Sequence, residues 1–276
     1  MRNAVIIYTH NLVPKKIFLK SMSLVFDQVK MIQGTEVVIV SQYPVLDGYE
    51  FINFPQIPER KYPKLEPLIL KEPILKRSDL SVKIRNFVIG PKEFSMQTIY
   101  HQMLIAASKT DAECISIAEH DVFYPEDYFS KCFAVLAAGF PVSFWRSVKM
   151  FNSNGFFDIV HIYALSRYGL RKETLVKMYN EKLERGSNFA EPLLKNCEIT
   201  MVTGENDHMF NDYAFLSGND VLDIKHGLNT SGQVIVDKFE LSHPYWGSRD
   251  QIVNMIDPEY TDVVNKNPGL GYGLLW

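Results

Sequence analysis

The sequence predicts an α/β fold whose sheet is mostly parallel and flanked by helices. Three continuously apolar runs, at residues 4–8, 36–40 and 114–118, have the length and β-branched composition of buried strands. Apolar residues at helical spacing across residues 15–31 separate the first two runs. This strand–helix–strand order favours a right-handed crossover between parallel strands.

Composition sets the limits of the prediction. The chain has 276 residues, enough for one large domain or two closely joined domains. Its 46% hydrophobic content excludes a disordered chain. The net charge of −3 gives no general attraction to nucleic acid or anionic membranes, although a local basic face is compatible with it.

Polar residues follow each of the first two predicted strands. Thr9, His10 and Asn11 end the first strand, and Gln42 ends the second. Neither loop carries GxGxxG or GxxxxGK[ST], so the dinucleotide fingerprint and the P-loop are both excluded. His10 is a candidate phosphate contact.

Residues 55–92 have a different composition. Six prolines interrupt regular structure there, and nine lysines and arginines outnumber the acidic residues. One interpretation is a solvated loop, and the other is a mobile basic flap that contacts a phosphate-bearing molecule. The length of the segment favours a function.

Further elements follow in the second part of the chain. Ser95 is a predicted N-cap for a helix over residues 96–109, and Pro125 opens another helix with Glu126 and Asp127 in its first turn. A further predicted helix covers residues 170–183, and the remaining predicted strands cover 141–146, 156–164, 198–202 and 221–226.

Three ionisable residues, Glu119, His120 and Asp121, end the strand at 114–118. On an extended segment, residues two apart point the same way, so both carboxylates can face one ligand. Carboxylates suit Mg²⁺ or Mn²⁺, which could hold a diphosphate, and His226 is the candidate distant ligand. A structural alternative is that the acids cap the next helix or pair with an arginine.

Four segments in a fixed order carry a family resemblance: IYTHN (7–11), EHDVFYP (119–125), AEP (190–192) and DIKHGLN (223–229). They resemble the GT-A glycosyltransferases with their DXD motif, and more narrowly a group of bacterial and phage glycosyltransferases. The resemblance implies a GT-A-like (Rossmann-type) mixed, mostly parallel sheet. It also implies a nucleotide-sugar donor, with a UDP-sugar favoured, and Mn²⁺ or Mg²⁺.

The resemblance also implies roles for individual residues. Asp121 would be the main metal ligand, Glu119 an accessory ligand or a contact to the donor ribose, and His226 the late ligand. The triplet begins with Glu where DXD has Asp. The residues expected to contact the nucleotide sugar are Thr9, His10, Asn11, Gln42, Glu119 and His120.

An inverting transfer needs a general base near the acceptor hydroxyl, ideally a carboxylate. Glu191 in AEP and Asp207 in GENDHMF are the two candidates, and the sequence does not decide between them. A retaining transfer needs no such base, so the stereochemistry stays open.

We expect a single GT-A-like domain, with residues 1–125 as the nucleotide-binding half and residues 126–276 as the acceptor-side half.

These motifs do not specify the acceptor. One hypothesis is a hydroxymethylated base in phage DNA, held through the basic residues 60–92. Two other classes fit the same residues. One is a metal-dependent hydrolase of nucleotides or phosphoesters that uses Asp121, His120 and His226. The other is a non-catalytic nucleotide-sugar-binding module.

No segment indicates secretion or membrane insertion. The early run AVIIY is too short for a signal peptide, and no apolar run approaches the roughly 20 residues that span a bilayer. The cysteines Cys114, Cys132 and Cys197 lack metal-ligand spacing, so we expect buried thiols. Together these features predict a soluble cytoplasmic protein.

Overall fold

An eight-stranded sheet forms the centre of the molecule in the computed structural model. The strand order is β11-β7-β10-β5-β1-β2-β4-β3. The structure describes residues 1–59, 69–93, 95–158, 165–184, 213–225 and 238–256. The strands are β1 (Asn3–Thr9), β2 (Thr35–Ser41), β3 (Glu50–Phe51), β4 (Lys83–Val88), β5 (Cys114–Glu119), β7 (Val142–Trp145), β10 (Tyr168–Arg171) and β11 (Tyr213–Leu216).

Strand β10 is antiparallel to both of its neighbours, β5 and β7. The other pairs in this sheet are parallel. The predicted mixed, mostly parallel sheet is therefore confirmed. Because β1, β2 and β5 are adjacent and parallel, their carboxyl ends meet at one edge of the sheet. Strands from before and after residue 125 belong to this same sheet.

Two smaller sheets complete the described strands. The larger one has the order β6-β12-β8-β9, and the smaller one pairs β13 with β14. Strand β6 of the larger of these sheets follows β5 of the main sheet after a two-residue turn. These strands are β6 (Val122–Phe123), β8 (Val148–Asn152), β9 (Gly155–Phe157), β12 (Val221–Ile224), β13 (Ser242–His243) and β14 (Gly247–Ser248).

Helices cover both faces of the main sheet, as predicted. Phe18 and Met22 of α1 and Phe129 of α3 belong to one buried cluster, together with apolar residues of the second sheet. Met103 of α2 and Leu175 of α4 belong to the cluster on the other face. The helices are α1 (Lys15–Val29), α2 (Met96–Ser108), α3 (Tyr128–Ala137), α4 (Lys172–Glu184) and α5 (Arg249–Ile256). None of the helices in the described ranges is long and apolar enough to cross a membrane.

Local signals were reliable for α2. The side chain of Ser95 accepts a hydrogen bond of 3.2 Å from the Thr98 amide, as expected of an N-cap residue. The prediction for α3 was wrong at its start. The helix begins at Tyr128, so Glu126 and Asp127 precede the first turn, and Asp127 makes no side-chain capping bond.

The prolines in residues 55–92 suggested an absence of regular structure, and this was also wrong. Lys83–Val88 form strand β4, and Arg77–Asp79 form a short 3-10 helix.

Two of the cysteines, Cys114 and Cys132, are buried free thiols, as expected. Burial raises the pKa of Cys132 to about 12. Cys197 lies outside the described residues.

Candidate functional site

The acidic triplet lies at the carboxyl end of β5, where the main sheet meets the second sheet. Glu119 is the last residue of the strand, and His120 and Asp121 form the turn into β6. His120 is 5% exposed and Asp121 is 7% exposed, so both groups are largely withdrawn from solvent. Their polar side chains therefore depend on neighbouring groups for stabilisation.

Two tyrosines hold Glu119 in position. The Tyr8 hydroxyl donates a 2.5 Å hydrogen bond to Glu119 Oε1, and the Glu119 amide donates to the Tyr124 hydroxyl over 2.9 Å. Burial, followed by the Glu119 charge, raises the pKa of Tyr8 well above its usual range. Tyr8 therefore stays protonated and can donate to the carboxylate at any ordinary pH.

Two polar residues on the buried face of α1 fix the turn that carries the triplet. Ser21 Oγ contacts the carbonyl oxygens of Glu119, at 3.2 Å, and Val122, at 2.8 Å. Gln28 Nε2 donates to the Tyr124 carbonyl over 3.1 Å. Sequence analysis missed both residues, although a polar side chain within an apolar helix face was the available signal.

Asn11 organises the loop after β1. It has a φ of 65°, a left-handed conformation that asparagine tolerates better than most residues. Its Oδ1 accepts from the amides of Gln42 and Tyr43, and its Nδ2 donates to the carbonyls of Tyr43 and Leu70. The amide group of Asn11 is thus occupied by backbone contacts, and its visible role is to shape the loop.

Thr9 and Gln42, at the ends of the first two strands, are almost fully buried, at 0% and 1% exposed. Thr9 Oγ1 accepts from the Asn11 amide over 2.9 Å, and Gln42 Oε1 accepts from the Lys92 amide over 3.0 Å. Gln102 of α2 donates to the Thr9 carbonyl. The predicted nucleotide contacts of Thr9, Asn11 and Gln42 stay predictions. In the structure, the hydrogen bonds of these residues connect the loops that follow the strands.

Two predicted site residues from separate loops meet here. The rings of His10 and His120 lie edge to face, with centroids 4.9 Å apart. The Leu12 amide donates to His10 Nδ1 over 3.0 Å, which assigns the proton of the neutral ring to Nε2. The first loop and the acidic triplet therefore belong to one site.

Two residues that sequence analysis did not select complete the charged part of the site. Asp223 on β12 is in register with Val122 of β6, and the Ile224 amide donates to the Asp121 carbonyl over 3.0 Å. Lys225 Nζ lies 2.8 Å from Asp223 Oδ2. The DIKHGLN segment was the available signal, but only His226 was selected from it, as a metal ligand. His226 lies outside the described residues.

We call Glu119, Asp121, Asp223 and Lys225 the apical cluster. Burial alone would lower the pKa of Lys225, but Asp223, then Asp121 and Glu119, raise it. The ammonium form of Lys225 is therefore favoured, chiefly by its contact with Asp223. The apical cluster thus consists of three acidic side chains and one lysine near the carboxyl end of β5.

Carboxylate oxygens, the polar atoms of Glu119, Asp121 and Asp223, are preferred by Mg²⁺ and Mn²⁺. Within the described ranges, however, no three His, Cys, Asp or Glu side chains form a group that could hold a metal ion. Glu119 and Asp121 are present, and the third predicted ligand, His226, directly follows Lys225 outside those ranges. The two candidate bases, Glu191 and Asp207, also lie outside the described residues.

Part of the basic stretch is remote from this site. Lys83 Nζ and Arg85 Nη2 each lie 3.0 Å from the carboxylate of Glu36, which is near the amino end of β2. Arg77 Nη2 donates to the Gly48 carbonyl over 3.1 Å. The interpretation as a basic flap is therefore wrong for Lys83 and Arg85. Residues 60–68 lie outside the described part of the chain.

No protein-family model matches the chain, and no curated protein matches it. Among solved structures, S. aureus TarS 1-349 is similar with 14% identity and a TM-score of 0.44, covering 81% of this chain and 60% of that one. The chain thus spans less than two thirds of that TarS fragment.

Two further similar structures are synthases or synthetases by description. One is 4-diphosphocytidyl-2C-methyl-D-erythritol synthase from Anaerococcus prevotii, with 12% identity, a TM-score of 0.43 and coverage of 79% and 87%. The other is CMP:2-keto-3-deoxy-manno-octonic acid synthetase complexed with CTP, with 10% identity, a TM-score of 0.44 and coverage of 80% and 91%. Similarities of this size assign neither a family nor a function.

Proposed function

We propose that this protein is a metal-dependent glycosyltransferase that moves a sugar from a nucleotide-diphosphate sugar, with a UDP-sugar favoured, to an acceptor hydroxyl. The observation that carries the proposal is the contact between two motifs that are far apart in sequence. The EHDV and DIKHGLN segments are joined by the hydrogen bond from the Ile224 amide to the Asp121 carbonyl. Both segments belong to the resemblance to GT-A glycosyltransferases, and both contribute carboxylates to the apical cluster.

The charge of the apical cluster supports a role for a cation. A diphosphate is an anion, and three carboxylates with one ammonium would repel it in a partly buried site. A divalent ion bound there would supply positive charge to the diphosphate as it leaves. Asp121 would be the main ligand, Glu119 an accessory ligand or ribose contact, and His226 the late ligand.

The remaining residues would bind and orient the donor. The ring of His10 lies 4.9 Å from the ring of His120 in the triplet, centroid to centroid, and both residues would contact the donor. Thr9, Asn11 and Gln42 would hold the loops that border the nucleotide. Glu191 or Asp207 would serve as the base in an inverting transfer. Residues 1–125 would form the nucleotide-binding half and residues 126–276 the acceptor-side half.

For the acceptor, we propose a test of the phage-DNA hypothesis. Contacts with the DNA backbone would have to be made by basic residues other than Lys83 and Arg85, because these two contact Glu36. Lys76 is exposed and is a suitable probe, with the surface residue Lys15 as a control. DNA affinity that falls steeply with salt, and is weakened by Lys76→Ala but not by Lys15→Ala, would support a DNA acceptor. Salt-independent or undetectable binding would exclude it.

The direct test of function is a thermal-shift screen of nucleotide sugars with and without Mn²⁺, on the wild type and on Asp121→Ala. A ligand at about 100 times its Kd stabilises the folded state by about 2.7 kcal/mol, a clear upward shift in Tm. We expect one donor to stabilise only the wild type, and only with metal. Absence of any donor-dependent shift would contradict the proposal.

Assays of product release and turnover, run beside the screen, separate the alternative classes. Release of free sugar or phosphate from the donor without any acceptor would favour a hydrolase. Stabilisation by a donor that is unchanged in Asp121→Ala, with no turnover on any acceptor, would favour a binding module.

A further inference from the structure

Arg146 directly follows strand β7, at the carboxyl edge of the main sheet. Strands β5 and β7 are both antiparallel to β10, which lies between them, so they run in the same direction and end at the same edge. Gly169 of β10 pairs with Ser116 on one side and with Ser143 on the other, so Arg146 is level with Glu119. Neighbouring strands lie about 4.8 Å apart, which puts the end of β7 about 10 Å from the end of β5.

The side chain of Arg146 lies over an aromatic ring that is itself open to solvent. Its Cζ atom is 4.2 Å from the ring centroid of Phe215, and this phenylalanine is 37% exposed. Arg146 is also exposed, and within the described part of the chain no carboxylate forms an ion pair with it. A guanidinium that packs by its face keeps the N–H donors at its edge available to an anion.

The backbone of Arg146 is fixed from two sides. Its amide donates to the Leu216 carbonyl on β11 over 2.9 Å, and its carbonyl accepts from Nη1 of Arg167 over 3.1 Å. Arg167 is 4% exposed, and its Cζ atom lies 4.8 Å from the ring centroid of Phe144. The segment that carries Arg146 is therefore ordered before any ligand arrives, which lowers the entropic cost of binding.

We propose that Arg146 binds an anionic group of the acceptor, a phosphate or a carboxylate. The arginine fork matches either group with two parallel hydrogen bonds. Strand β7 lies on the opposite side of β5 from β1 and β2, whose loops carry the expected nucleotide contacts Asn11 and Gln42. The anion is therefore assigned to the acceptor and not to the nucleotide. This assignment rests on the proposed function, because the acceptor is the second substrate of that transfer.

The experiment is a ligand-observed NMR titration of glucose 6-phosphate and of glucuronate, with glucose as the neutral comparison. These probes combine hydroxyl groups with one phosphate, one carboxylate or no charge. We expect the wild type to bind one of the two anions about tenfold more tightly than glucose, as a charge-assisted bidentate contact allows. Arg146→Met should lose this preference, and Arg146→Lys, which keeps the charge but not the fork, should retain part of it.

Arg2→Met is the matched control. Arg2 is also exposed, with 66% of its side chain accessible, and it precedes β1 at the opposite edge of the main sheet. Removing its charge should change the affinity for either anion less than about twofold, because charges farther apart than the Debye length are screened.

The affinity for UDP, measured on the same variants, separates the two sources of an anion. UDP should bind equally to the wild type and to Arg146→Met if the anion belongs to the acceptor. A loss of about tenfold in UDP affinity would show that Arg146 contacts the donor, and it would overturn the assignment to the acceptor.

The outcomes distinguish this inference from the proposed function. Equal affinity of the wild type for the anionic and neutral probes would overturn the anion site, even if UDP binds. A preference for anions that Arg146→Met and Arg146→Gln both leave unchanged would do the same. Absence of UDP binding to the wild type would count against the proposed function, whereas loss of the anion preference in Arg146→Met would still support an anion site at Arg146.

Discussion

Charged clusters lie at both ends of the main sheet, and their charges are balanced differently. At the amino end, Glu36 is bound by Lys83 and Arg85, each at 3.0 Å, and by the Thr110 hydroxyl at 2.5 Å. We call these four residues the basal cluster. At the carboxyl end, the apical cluster has three carboxylates and one ammonium. One carboxylate contacts two cations in the basal cluster, whereas the apical cluster has one lysine for three acidic side chains.

The difference suggests different roles for the two clusters. The cations and the hydroxyl lower the pKa of Glu36 in spite of its burial, so the basal cluster stabilises the folded state. The apical cluster contains three acidic side chains and one lysine, and it lies where we propose that the donor binds. A functional site is commonly less stable than the rest of a protein. The predictions below test this contrast.

The largest effect on stability is expected from Glu36→Gln. Glutamine keeps the shape of the side chain but replaces charge-assisted hydrogen bonds with weaker ones, so the free energy of unfolding should fall by about 1–2 kcal/mol. Urea denaturation measures the change. Asp27→Asn, which removes an exposed partner of Lys30, is the control and should cost less than about 0.5 kcal/mol. Equal effects of the two variants would contradict a special role for the basal cluster.

The pH dependence of stability should follow from the same carboxylate. Because the pKa of Glu36 is lowered by folding, its contribution is present above the ordinary glutamic acid value of about 4.3 and is lost as the pH falls below it. Urea midpoints between pH 7 and pH 3 should fall less steeply in Glu36→Gln than in the wild type. Parallel pH profiles for the two proteins would show that Glu36 does not contribute.

A smaller loss is expected from Tyr8→Phe. This change removes the hydroxyl that donates to Glu119, and it should lower the free energy of unfolding by about 1 kcal/mol. Tyr179→Phe is the matched control, because the buried Tyr179 hydroxyl has no hydrogen-bond partner among the described residues. It should be neutral or slightly stabilising. A greater loss in Tyr179→Phe than in Tyr8→Phe would contradict the role of Tyr8.

The smallest effect on stability is expected from Asp121→Asn. Removing one negative charge from the apical cluster relieves repulsion, so the free energy of unfolding should stay within about 0.5 kcal/mol of the wild type or rise. Urea denaturation without metal is the measurement. A loss of more than about 1 kcal/mol would show that Asp121 is a structural acid like Glu36.

Most of the fold could be predicted from local patterns. Apolar periodicity located α1, α2 and the first parallel strands, because buried strands and amphipathic helices leave direct traces in the sequence. Strand β4 was missed for two reasons: prolines surround it, and it carries the polar residues Lys83, Arg85 and Asn86. Its polar residues are explained by partners far away in sequence, such as Glu36, and local patterns do not record such partners.

The site could be predicted only in part, for a related reason. The triplet at 119–121 was visible because ionisable residues stopped an apolar run at a strand end. Asp223 and Lys225 were not selected because their role depends on the pairing of β12 with β6. Asn11 was expected at the ligand, but four hydrogen bonds to backbone groups give it a structural role as well.

The most direct test of the central claim, that the apical cluster is the ligand site, is calorimetric titration of UDP into the wild type and Asp121→Asn with Mn²⁺ present. We predict measurable binding to the wild type and an affinity about 100-fold lower in the variant, as expected when a metal ligand or its support is lost. Equal affinity for UDP in the two proteins would contradict the claim.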